Sequence, residues 1–444
     1  MSSGDIDIAT FSAIMKAIGL PILAASLLAT SSLALEPITI KGSKFFHADG
    51  SQYFMKGIAY QRSPFDPLLD KKQCQLDADL MKQLGANAIR VYHVDPDGNH
   101  DDCMKIFEDI GVYAFIDLDT FHTYIEQDGP PHWNETQLTE YTKVLDNLAG
   151  YSNLGGVFVG NEIITKSNGS FAAPYIKAAV RDIKAYMEEK KFARKIPTGY
   201  SAADIAELRP NLQNYLACGD DSSVNVDFFG LNAYEWCGEA TDYHVSGYDM
   251  LNKNATDYPV PIFFSETGCN VPTPRDFKDQ FAIFGPEMRD VWSGAIIYEW
   301  IQEDNNYGLV DYGRADPKTA IGGDTWARGG KPTPLPDFTV LKSVWSSVTP
   351  SGISKDKYTS TNGPISCPAS TSGIWNVDPT SALPTLGQTA VFAEASGDPV
   401  ERDGTATTST GAPAETSKPN SAGKVVVVLN SCFMAAVLAV AVLL

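Results

Sequence analysis

Residues 156–162 read GVFVGNE, a short apolar run that ends at a glycine and is followed at once by asparagine and glutamate. Residues 261–269, PIFFSETGC, repeat the arrangement with serine and glutamate. Short apolar runs bounded by turn residues are typical of strands buried in a parallel sheet. Polar residues directly after such strands lie at the carboxyl edge of the sheet, where α/β proteins bind their ligands. The two stretches therefore predict an α/β fold with its functional site at the ends of these strands.

Runs of this kind recur along the middle of the chain. Gly85 and Gly111 stand where intervening helices are expected to end. Eight strand–helix units in about 300 residues predict a (β/α)8 barrel of the TIM type, with a doubly wound sheet as the alternative. The eight predicted strands are Tyr53–Tyr60, Ala88–Val94, Val112–Leu118, Gly156–Gly160, Ile196–Tyr200, Phe228–Ala233, Pro261–Ser265 and Ala295–Tyr298. The clearest helical patterns are Gln73–Leu84, Glu135–Leu148, Ala172–Glu189 and Phe277–Met288.

The composition of the 444-residue chain excludes two classes of protein. It has 34 Lys and Arg against 54 Asp and Glu, a formal charge of −20, whereas a nucleic-acid-binding protein needs a cationic surface. Hydrophobic residues make up 43% of the chain and aromatic residues 11%, which is enough to build a large core and excludes global disorder. We therefore expect a folded, acidic protein that does not bind nucleic acid.

The chain begins with the features of a secretory signal. Residues 17–35 carry no charge, follow Lys16 and end in small residues, which predicts a signal peptide over residues 1–34, cleaved after Ala34. Acidic residues near the start are unusual in such a peptide, so Met15 is an alternative start. A membrane-spanning anchor is the other interpretation of this stretch.

The chain ends with the features of a glycosylphosphatidylinositol (GPI) signal. Residues 425–444 are uncharged, and 18 of these 20 are apolar. The small residues 420–423 precede them, which predicts GPI attachment at Asn420 and removal of residues 421–444. A segment of small residues at 409–412 is the fallback attachment site, and a tail-anchored helix is the alternative.

Composition also divides the chain between its two ends. We expect the barrel over residues 35–345 and a C-terminal extension over 346–384. Residues 385–420 are rich in Ser, Thr, Ala, Gly and Pro, and they predict an O-glycosylated stalk that buries too little surface to fold. Three sequons are candidate N-glycosylation sites: Asn134, Asn168 and Asn254.

Carboxylates directly follow most of the predicted strands, and an ordinary solvated or ion-paired acid is the alternative for each. Glu162 and Glu266 stand out because Asn161 and Ser265 precede them at the ends of apolar runs. Two such carboxyl groups on facing strand ends suit glycoside cleavage, in which one donates a proton and the other attacks the anomeric carbon. Asn161 can hydrogen-bond to a sugar hydroxyl. The full set is Asp117, Asp119, Glu162, Glu235, Glu266 and Glu299.

Aromatic residues concentrate after the same strands. Their flat, amphipathic rings can stack on sugars while their polar atoms reach hydrogen-bond partners, although any single ring can equally pack in the core. As a set they predict a carbohydrate-binding cleft. The set is Tyr60, Tyr92, Phe121, Tyr124, Tyr234, Trp236, Tyr298, Trp300 and Tyr307.

Other chemistries find little support in the sequence. It contains no metalloprotease, serine-hydrolase or phosphate-binding motif, and its six histidines show no metal spacing. Residues 95–102 faintly resemble the start of a calcium loop, but His100 and Ile106 occupy the positions that need glycine and glutamate. We interpret residues 95–102 as an acidic surface loop, and we expect no metal and no cofactor.

Five motifs combine these strand-end residues. They are Arg90-Val-Tyr92, Gly160-Asn-Glu162, Tyr234-Glu-Trp-Cys-Gly238, Ser265-Glu266, and Tyr298-Glu299 with Asn306-Tyr-Gly308. In order and spacing they resemble glycoside hydrolase family 72, the fungal cell-wall β-1,3-glucanosyltransferases, which are typically secreted and GPI-anchored. The resemblance covers Leu35 to Cys367.

The resemblance implies a retaining mechanism that elongates β-1,3-glucan. Glu162 would be the acid/base, and Glu266 the nucleophile that holds the cut end of a donor chain as a glycosyl ester. The 3-hydroxyl of an acceptor chain would then displace Glu266 and form a β-1,3 linkage to that end. The implied partners are donor and acceptor glucans and, through GPI, the outer leaflet of the plasma membrane, with the cell wall as a further location. Residues implied to line the donor subsite and orient the nucleophile are Tyr92, Asp117, Asn161, Tyr234 and Tyr298.

Two departures and two rival functions accompany this resemblance. Thr267 stands where the family usually has an aromatic residue, which puts local packing or acceptor preference in doubt. Cys367 is the single cysteine between the predicted barrel and the predicted stalk, so we expect no cysteine-rich carbohydrate-binding module. The rivals are an endo-β-1,3-glucanase, in which water resolves the same intermediate, and a non-catalytic glucan-binding wall protein.

The seven cysteines are an odd number, but Cys432 falls in the predicted propeptide. The six that remain suit an oxidising compartment and allow fifteen pairings, among which the sequence does not choose. The family resemblance implies three pairs: Cys74–Cys103 between a helix and a neighbouring loop, Cys218–Cys367 between the barrel and the extension, and Cys237–Cys269 between the loops after strands six and seven.

Overall fold

The computed structural model describes residues 35–392, except 63–64, 120–122, 241, 319 and 321–324, and also residues 399–400. Several predictions therefore lie outside the described residues. They are the signal peptide 1–34, Phe121, most of the stalk 385–420, the attachment residue Asn420 and the propeptide 421–444.

Eight parallel strands close into a barrel after a small antiparallel sheet. The small sheet consists of β1 (Thr39–Lys41), β2 (Lys44–Phe46) and β3 (Gln52–Tyr53). The barrel strands are β4 (Met55–Ala59), β5 (Ala88–Val91), β6 (Tyr113–Asp117), β7 (Leu154–Asn161), β8 (Thr198–Ala203), β9 (Phe228–Asn232), β10 (Ile262–Thr267) and β11 (Trp292–Ile297). Each pairs in parallel with its neighbours in sequence, and β11 pairs with β4. The predicted barrel is confirmed, and the doubly wound alternative is wrong.

In the described residues, eight α-helices accompany the strands. They are α1 (Lys71–Leu84), α2 (Asp101–Asp109), α3 (Glu135–Leu148), α4 (Ala173–Glu189), α5 (Arg209–Ala217), α6 (Tyr248–Ala255), α7 (Asp279–Ile283) and α8 (Pro336–Ser347), with a 3-10 helix at Ser167–Ala172. Local chemistry fixes their ends: α1 stops at Gly85 in the left-handed conformation, and Asn134 with Gln137 forms a capping box on α3. In the described part of the chain, no helix is long and apolar enough to cross a membrane.

Two helix predictions need correction. The predicted helix Phe277–Met288 shrinks to α7, because Pro286 lacks an N–H and disfavours helical backbone at Gly285. The acidic loop predicted over 95–102 gives way to α2 at Asp101.

The two faces of the barrel strands pack differently. Phe264 of β10 points outward and stacks between Trp292 and Tyr248, the latter from α6. Phe263 points into the barrel, where its ring lies 6.1 Å from that of Phe45 on β2. Because Phe263 is only the second residue of its strand, the small N-terminal sheet fills the barrel at the amino ends of the strands. The carboxyl ends remain free to carry a site.

Disulfides and the C-terminal segment complete the fold. The bridges are Cys74–Cys103, Cys218–Cys367 and Cys237–Cys269, the same pairs that the family resemblance implies. The first joins α1 to α2, so it links two helices and not a helix and a loop. Short antiparallel pairs follow the barrel: β12 (Val310–Asp311) with β13 (Thr333–Pro334), and β14 (Val391–Phe392) with β15 (Pro399–Val400).

The extension packs further along the chain than its predicted end at 384. Trp375 is fully buried against Tyr215 of α5. Beyond it, the backbone N–H of Gly387 donates to the carbonyl of Trp133, and that of Ala390 to the carbonyl of Pro131. The first residues of the predicted stalk therefore lie against the β6–α3 loop.

Candidate active site

Glu162 and Glu266 sit at the carboxyl ends of their strands. Glu266 is the fifth residue of β10 and is only 8% exposed. Glu162 directly follows β7 with a φ of 48°, and its N–H donates to the carbonyl of Ser201 on β8 at 2.8 Å. A left-handed backbone is unusual for a glutamate and turns the chain sharply at the end of the strand.

Three donors surround the carboxylate of Glu266. The hydroxyl of Tyr92 donates to Oε1 at 2.8 Å, and the hydroxyl of Tyr234 donates to Oε2 at 2.9 Å. The Arg90 guanidinium lies 3.3 Å from Oε1. Burial raises the pKa of Glu266 to about 7; Arg90 opposes this rise, the neighbouring Glu162 adds to it, and the two hydroxyls oppose it. These donors favour the ionised form that a nucleophile needs.

Arg90 is the buried cation on which the predicted residues converge. It lies inside the barrel with no exposed surface. Nε and Nη2 donate to the two carboxylate oxygens of Asp117, at 3.1 and 2.8 Å, and Nη2 also donates to Oδ1 of Asn161 at 2.9 Å. The bidentate pair with Asp117 fixes the plane of the guanidinium. Arg90 therefore connects Asp117 and Asn161 to Glu266.

Asn232, the last residue of β9, joins the second glutamate to this network. Its Nδ2 donates to Oε1 of Glu162 at 2.8 Å and to Oδ1 of Asn161 at 3.0 Å. Its own Oδ1 accepts from the hydroxyls of Ser201 and Ser265, at 2.9 and 2.8 Å. The amide is thus oriented with its donor toward Glu162.

Three tyrosines form one side of the site, which we call the tyrosine wall: Tyr234, Tyr298 and Tyr307. Their rings meet edge to face, with centroids 5.4 to 6.5 Å apart. The hydroxyl of Tyr298 accepts from Nε2 of Gln61 at 3.1 Å. With Tyr234 bound to Glu266, the wall presents aromatic surface next to that carboxylate, as sugar stacking requires.

Two of the predicted aromatic residues, Tyr60 and Trp300, do not reach this site. Tyr60 is fully buried, and its hydroxyl donates to Asp77 at 2.9 Å. Trp300 is also fully buried and donates to the hydroxyl of Tyr312. These two predictions are therefore corrected to packing roles. Trp236 is half-buried, and the centroid of its ring lies 5.3 Å from that of Tyr248 of α6. Tyr124 is exposed on the loop after β6.

The remaining strand-end carboxylates and Thr267 do not belong to the pair of Glu162 and Glu266. Glu299 is fully buried and accepts from Gln61 at 2.6 Å and from Asn305 at 2.8 Å, and burial raises its pKa to about 8. Asp119 is half-buried and Glu235 is exposed. Thr267 is buried with its hydroxyl 3.3 Å from that of Tyr248, in the layer between barrel and helices.

Arg90 is part of the Arg90-Val-Tyr92 motif but received no site role from the sequence, and Asn232, Ser201 and Gln61 were missed. Arg90 and Asn232 lie inside apolar strands, where a charged or amide side chain must be paired to be tolerated. That lone polar residue within an apolar run was the available signal. Gln61 lies after β4, outside any apolar run, and the sequence gives no signal that marks it as a site residue.

Comparison with known proteins identifies the family of the chain. A family model for glucanosyltransferases of glycoside hydrolase family 72 matches residues 27–323. This chain belongs to glycoside hydrolase family 72. It is 40% identical over 377 residues to a 1,3-beta-glucanosyltransferase of Arthroderma benhamiae, covering 78% of this chain and 66% of that protein. It is 39% identical over 376 residues to the 1,3-beta-glucanosyltransferase gas2 of Schizosaccharomyces pombe, covering 81% and 78%.

A solved family member has the same fold. The structure of Saccharomyces cerevisiae Gas2p in complex with laminaritriose and laminaritetraose is 38% identical to this chain, with a TM-score of 0.72. The match covers 79% of this chain and 77% of that one. The chain spans 66%, 53% and 62% of the lengths of three family-72 relatives, from A. benhamiae, Candida albicans and Candida maltosa.

Proposed function

We propose that this chain is a retaining β-1,3-glucanosyltransferase, with Glu266 as nucleophile and Glu162 as acid/base. The observation that carries the proposal is the unequal setting of the two carboxyls. Glu266 is buried among three donors that favour its charge, whereas Glu162 is half-buried and meets one amide donor. Unequal settings for two neighbouring carboxyls are what acid and nucleophile roles require. The names of the family-72 relatives support the substrate class.

In the first step, an ionised oxygen of Glu266 attacks the anomeric carbon of an internal glucose of the donor chain. The bond between that carbon and the glycosidic oxygen breaks, and Glu162 gives its proton to the departing oxygen. The new bond is a glycosyl ester on Glu266. The carboxylate loses its negative charge as the ester forms, so the hydrogen bonds from Tyr92 and Tyr234 weaken at this step. Asn161 lies beside the two glutamates and can bind a sugar hydroxyl.

In the second step, Glu162 is a carboxylate and acts as the base. It takes the proton from the 3-hydroxyl at the non-reducing end of an acceptor chain while that oxygen attacks the anomeric carbon. The ester bond to Glu266 breaks, and a β-1,3 linkage forms with the original configuration. Asn232 holds Glu162 in place through both steps, and the acceptor chain is lengthened.

The rest of the chain fits a surface enzyme. We propose secretion after removal of residues 1–34, a catalytic barrel over 35–345 with an extension from 346, a stalk, and GPI attachment at Asn420. The composition of the two ends supports this organisation. Asn134, Asn168 and Asn254 stay candidates for N-glycosylation, and the outer leaflet of the plasma membrane or the wall is the proposed location.

The experiment incubates purified protein with a reduced β-1,3-oligosaccharide and separates the products by size. Products longer than the substrate are expected, while exclusively shorter ones mean an endo-glucanase. Glu162→Gln and Glu266→Gln should each lower product formation by about 10²-fold or more. The control is Glu188→Gln, an exposed carboxylate of α4. Full activity of either site variant would refute the assignment, and glucan binding without any turnover would support the wall-protein alternative.

A further inference from the structure

A buried arginine lies behind the tyrosine wall. Arg275 follows β10 and is only 2% exposed. Its Nη1 donates to the carbonyl of Gly268 at 3.2 Å and to that of Tyr298 at 2.6 Å, and its Nη2 donates to the carbonyl of Tyr307 at 2.6 Å. One side chain therefore holds three separate backbone segments at the carboxyl end of the barrel.

Asp337 of α8 fixes this guanidinium in turn. Its Oδ2 accepts from Nε of Arg275 at 2.5 Å, and its Oδ1 accepts from the backbone N–H of the same residue at 3.2 Å. The ring of Phe277 lies 4.8 Å from the guanidinium carbon. Four of the five guanidinium N–H donors of Arg275 therefore have a described partner. Such a side chain is held in one orientation, because rotation breaks several charge-assisted hydrogen bonds.

The three carbonyls belong to the segments that shape the site. Gly268 lies two residues after Glu266, while Tyr298 and Tyr307 are two members of the tyrosine wall. The third member, Tyr234, packs against both rings and donates to Glu266. We propose that Arg275, anchored by Asp337, is a positioning residue that sets the tyrosine wall against Glu266. This inference rests on the proposed function, and Arg275 itself touches neither Glu266 nor a sugar.

The test is Arg275→Gln, assayed as a pH profile of kcat/KM and as separate kcat and KM values for glucan. If the wall shifts, the hydroxyl of Tyr234 no longer donates well to Glu266, and the pKa of Glu266 rises further. Since Glu266 must be ionised, the acid limb moves to higher pH, by about half a unit or more. KM should rise about tenfold. The charged and titratable groups that act on Glu266 are Arg90, Tyr92, Glu162, Tyr234, Tyr298, Glu299 and Tyr307.

A matched control exists at the other end of the barrel. Arg194 is half-buried and donates to the carbonyls of Tyr151 and Leu154, at 3.0 and 2.7 Å, where β7 begins. Arg194→Gln should lower Tm without moving the acid limb or KM. If Arg275→Gln changes Tm alone, as this control does, or leaves every readout unchanged, the positioning role is wrong.

Two further measurements keep the inference open to refutation. If Arg275→Gln does not fold, Asp337→Asn removes the charge that anchors the guanidinium, and it should move the acid limb in the same direction by less; an unmoved limb overturns the inference. A ¹³C-NMR titration of Glu266 in the full chain needs no substrate. A raised pKa in the variant supports the positioning role even if the wild type proves inactive on glucan, whereas an unchanged pKa refutes it.

Discussion

The two ends of the barrel are built from the same eight strands but from opposite chemistry. At the amino ends, the ring of Phe45 fills the interior, with its centroid 6.1 to 6.3 Å from the rings of Phe115, Phe228 and Phe263. At the carboxyl ends, Arg90 fills the interior and pairs with Asp117. Apolar rings gain stability from burial alone, whereas a buried charge is tolerated only when it is fully paired. One end stabilises the fold and the other concentrates charge for chemistry.

The largest effect is expected from removing the cation at the polar end. Arg90→Met keeps an unbranched side chain but leaves Asp117 and Glu266 buried without a positive charge. We expect the free energy of unfolding to fall by about 3–5 kcal/mol. Activity should fall at least about 100-fold, because the pKa of Glu266 then rises above working pH. Thermal melts and kcat/KM measure the two losses, and a loss of stability without any loss of activity would contradict this role.

The counterpart at the apolar end separates stability from chemistry. Phe45→Ala should lower the free energy of unfolding by about 3–5 kcal/mol, because burial is lost and a cavity is left at the amino ends of the strands. Because the proposed catalytic residues lie at the opposite ends of the strands, kcat/KM at a temperature where the variant stays folded should match the wild type. A large fall in kcat/KM with intact fold would show that the two ends are coupled.

This contrast also explains how far the sequence could be interpreted. The strands could be predicted because each is a short apolar run bounded by turn residues, and Glu162 and Glu266 because they directly follow such runs. Arg90 and Asn232 received no role because both faces of a barrel strand are buried, so a polar residue in an apolar run does not show which groups it pairs with. Their roles depend on cross-barrel contacts to β6, β7 and β10.

The helices show the same limit. The long, strongly periodic α3 and α4 match their predicted ranges to within one residue at each end. The short α2, α5 and α6 were not predicted, because eight or nine residues give barely two turns of periodicity. Tyr60 and Trp300 followed strands, as cleft residues should, but their polar atoms found partners between the barrel and the helices.

Removal of a single hydroxyl at the carboxyl ends of the strands should have a smaller effect. Tyr92→Phe removes the hydrogen bond to Oε1 of Glu266, which holds the pKa of that carboxyl below the value that burial alone would give. The pKa therefore rises above about 7, and the acid limb of kcat/KM should move to higher pH. At pH values on the acid side of this limb, kcat/KM should be about tenfold lower than in the wild type.

Tyr113→Phe is the matched change for the apolar half. Tyr113 begins β6, is almost fully buried, and donates its hydroxyl to the carbonyl of Glu36 at 2.6 Å. The Tyr113→Phe variant should have a lower Tm and an unchanged pH profile of kcat/KM. Equal shifts of the acid limb in the two variants would mean that the hydroxyl of Tyr92 has no specific role at Glu266.

The smallest effect concerns a buried ion pair outside the barrel, beside the loop after β5. Asn147 gives both Nδ2 hydrogens to the carbonyls of Pro96 and Gly98, so its Oδ1 faces Nδ1 of His100 as an acceptor, at 2.6 Å. Nε2 of His100 faces the carboxylate of Asp66 at 2.8 Å. With acceptors at both ring nitrogens, this geometry satisfies the doubly protonated imidazolium.

The charge on His100 makes its contribution depend on pH, unlike that of Phe45. Burial lowers the pKa of His100, but Asp66 outweighs this effect and, with Asn147, leaves the pKa above its ordinary value. The stabilisation is therefore complete below the unfolded pKa of about 6.5 and is lost as pH rises through the higher folded value. His100→Gln should lower the free energy of unfolding by about 1–2 kcal/mol at pH 5 and by less at pH 9. Urea unfolding at both values measures the difference, with His244→Gln, an exposed histidine beside Asp249, as control. A loss of equal size at both values would mean that His100 acts by packing alone and that its charge contributes nothing to stability.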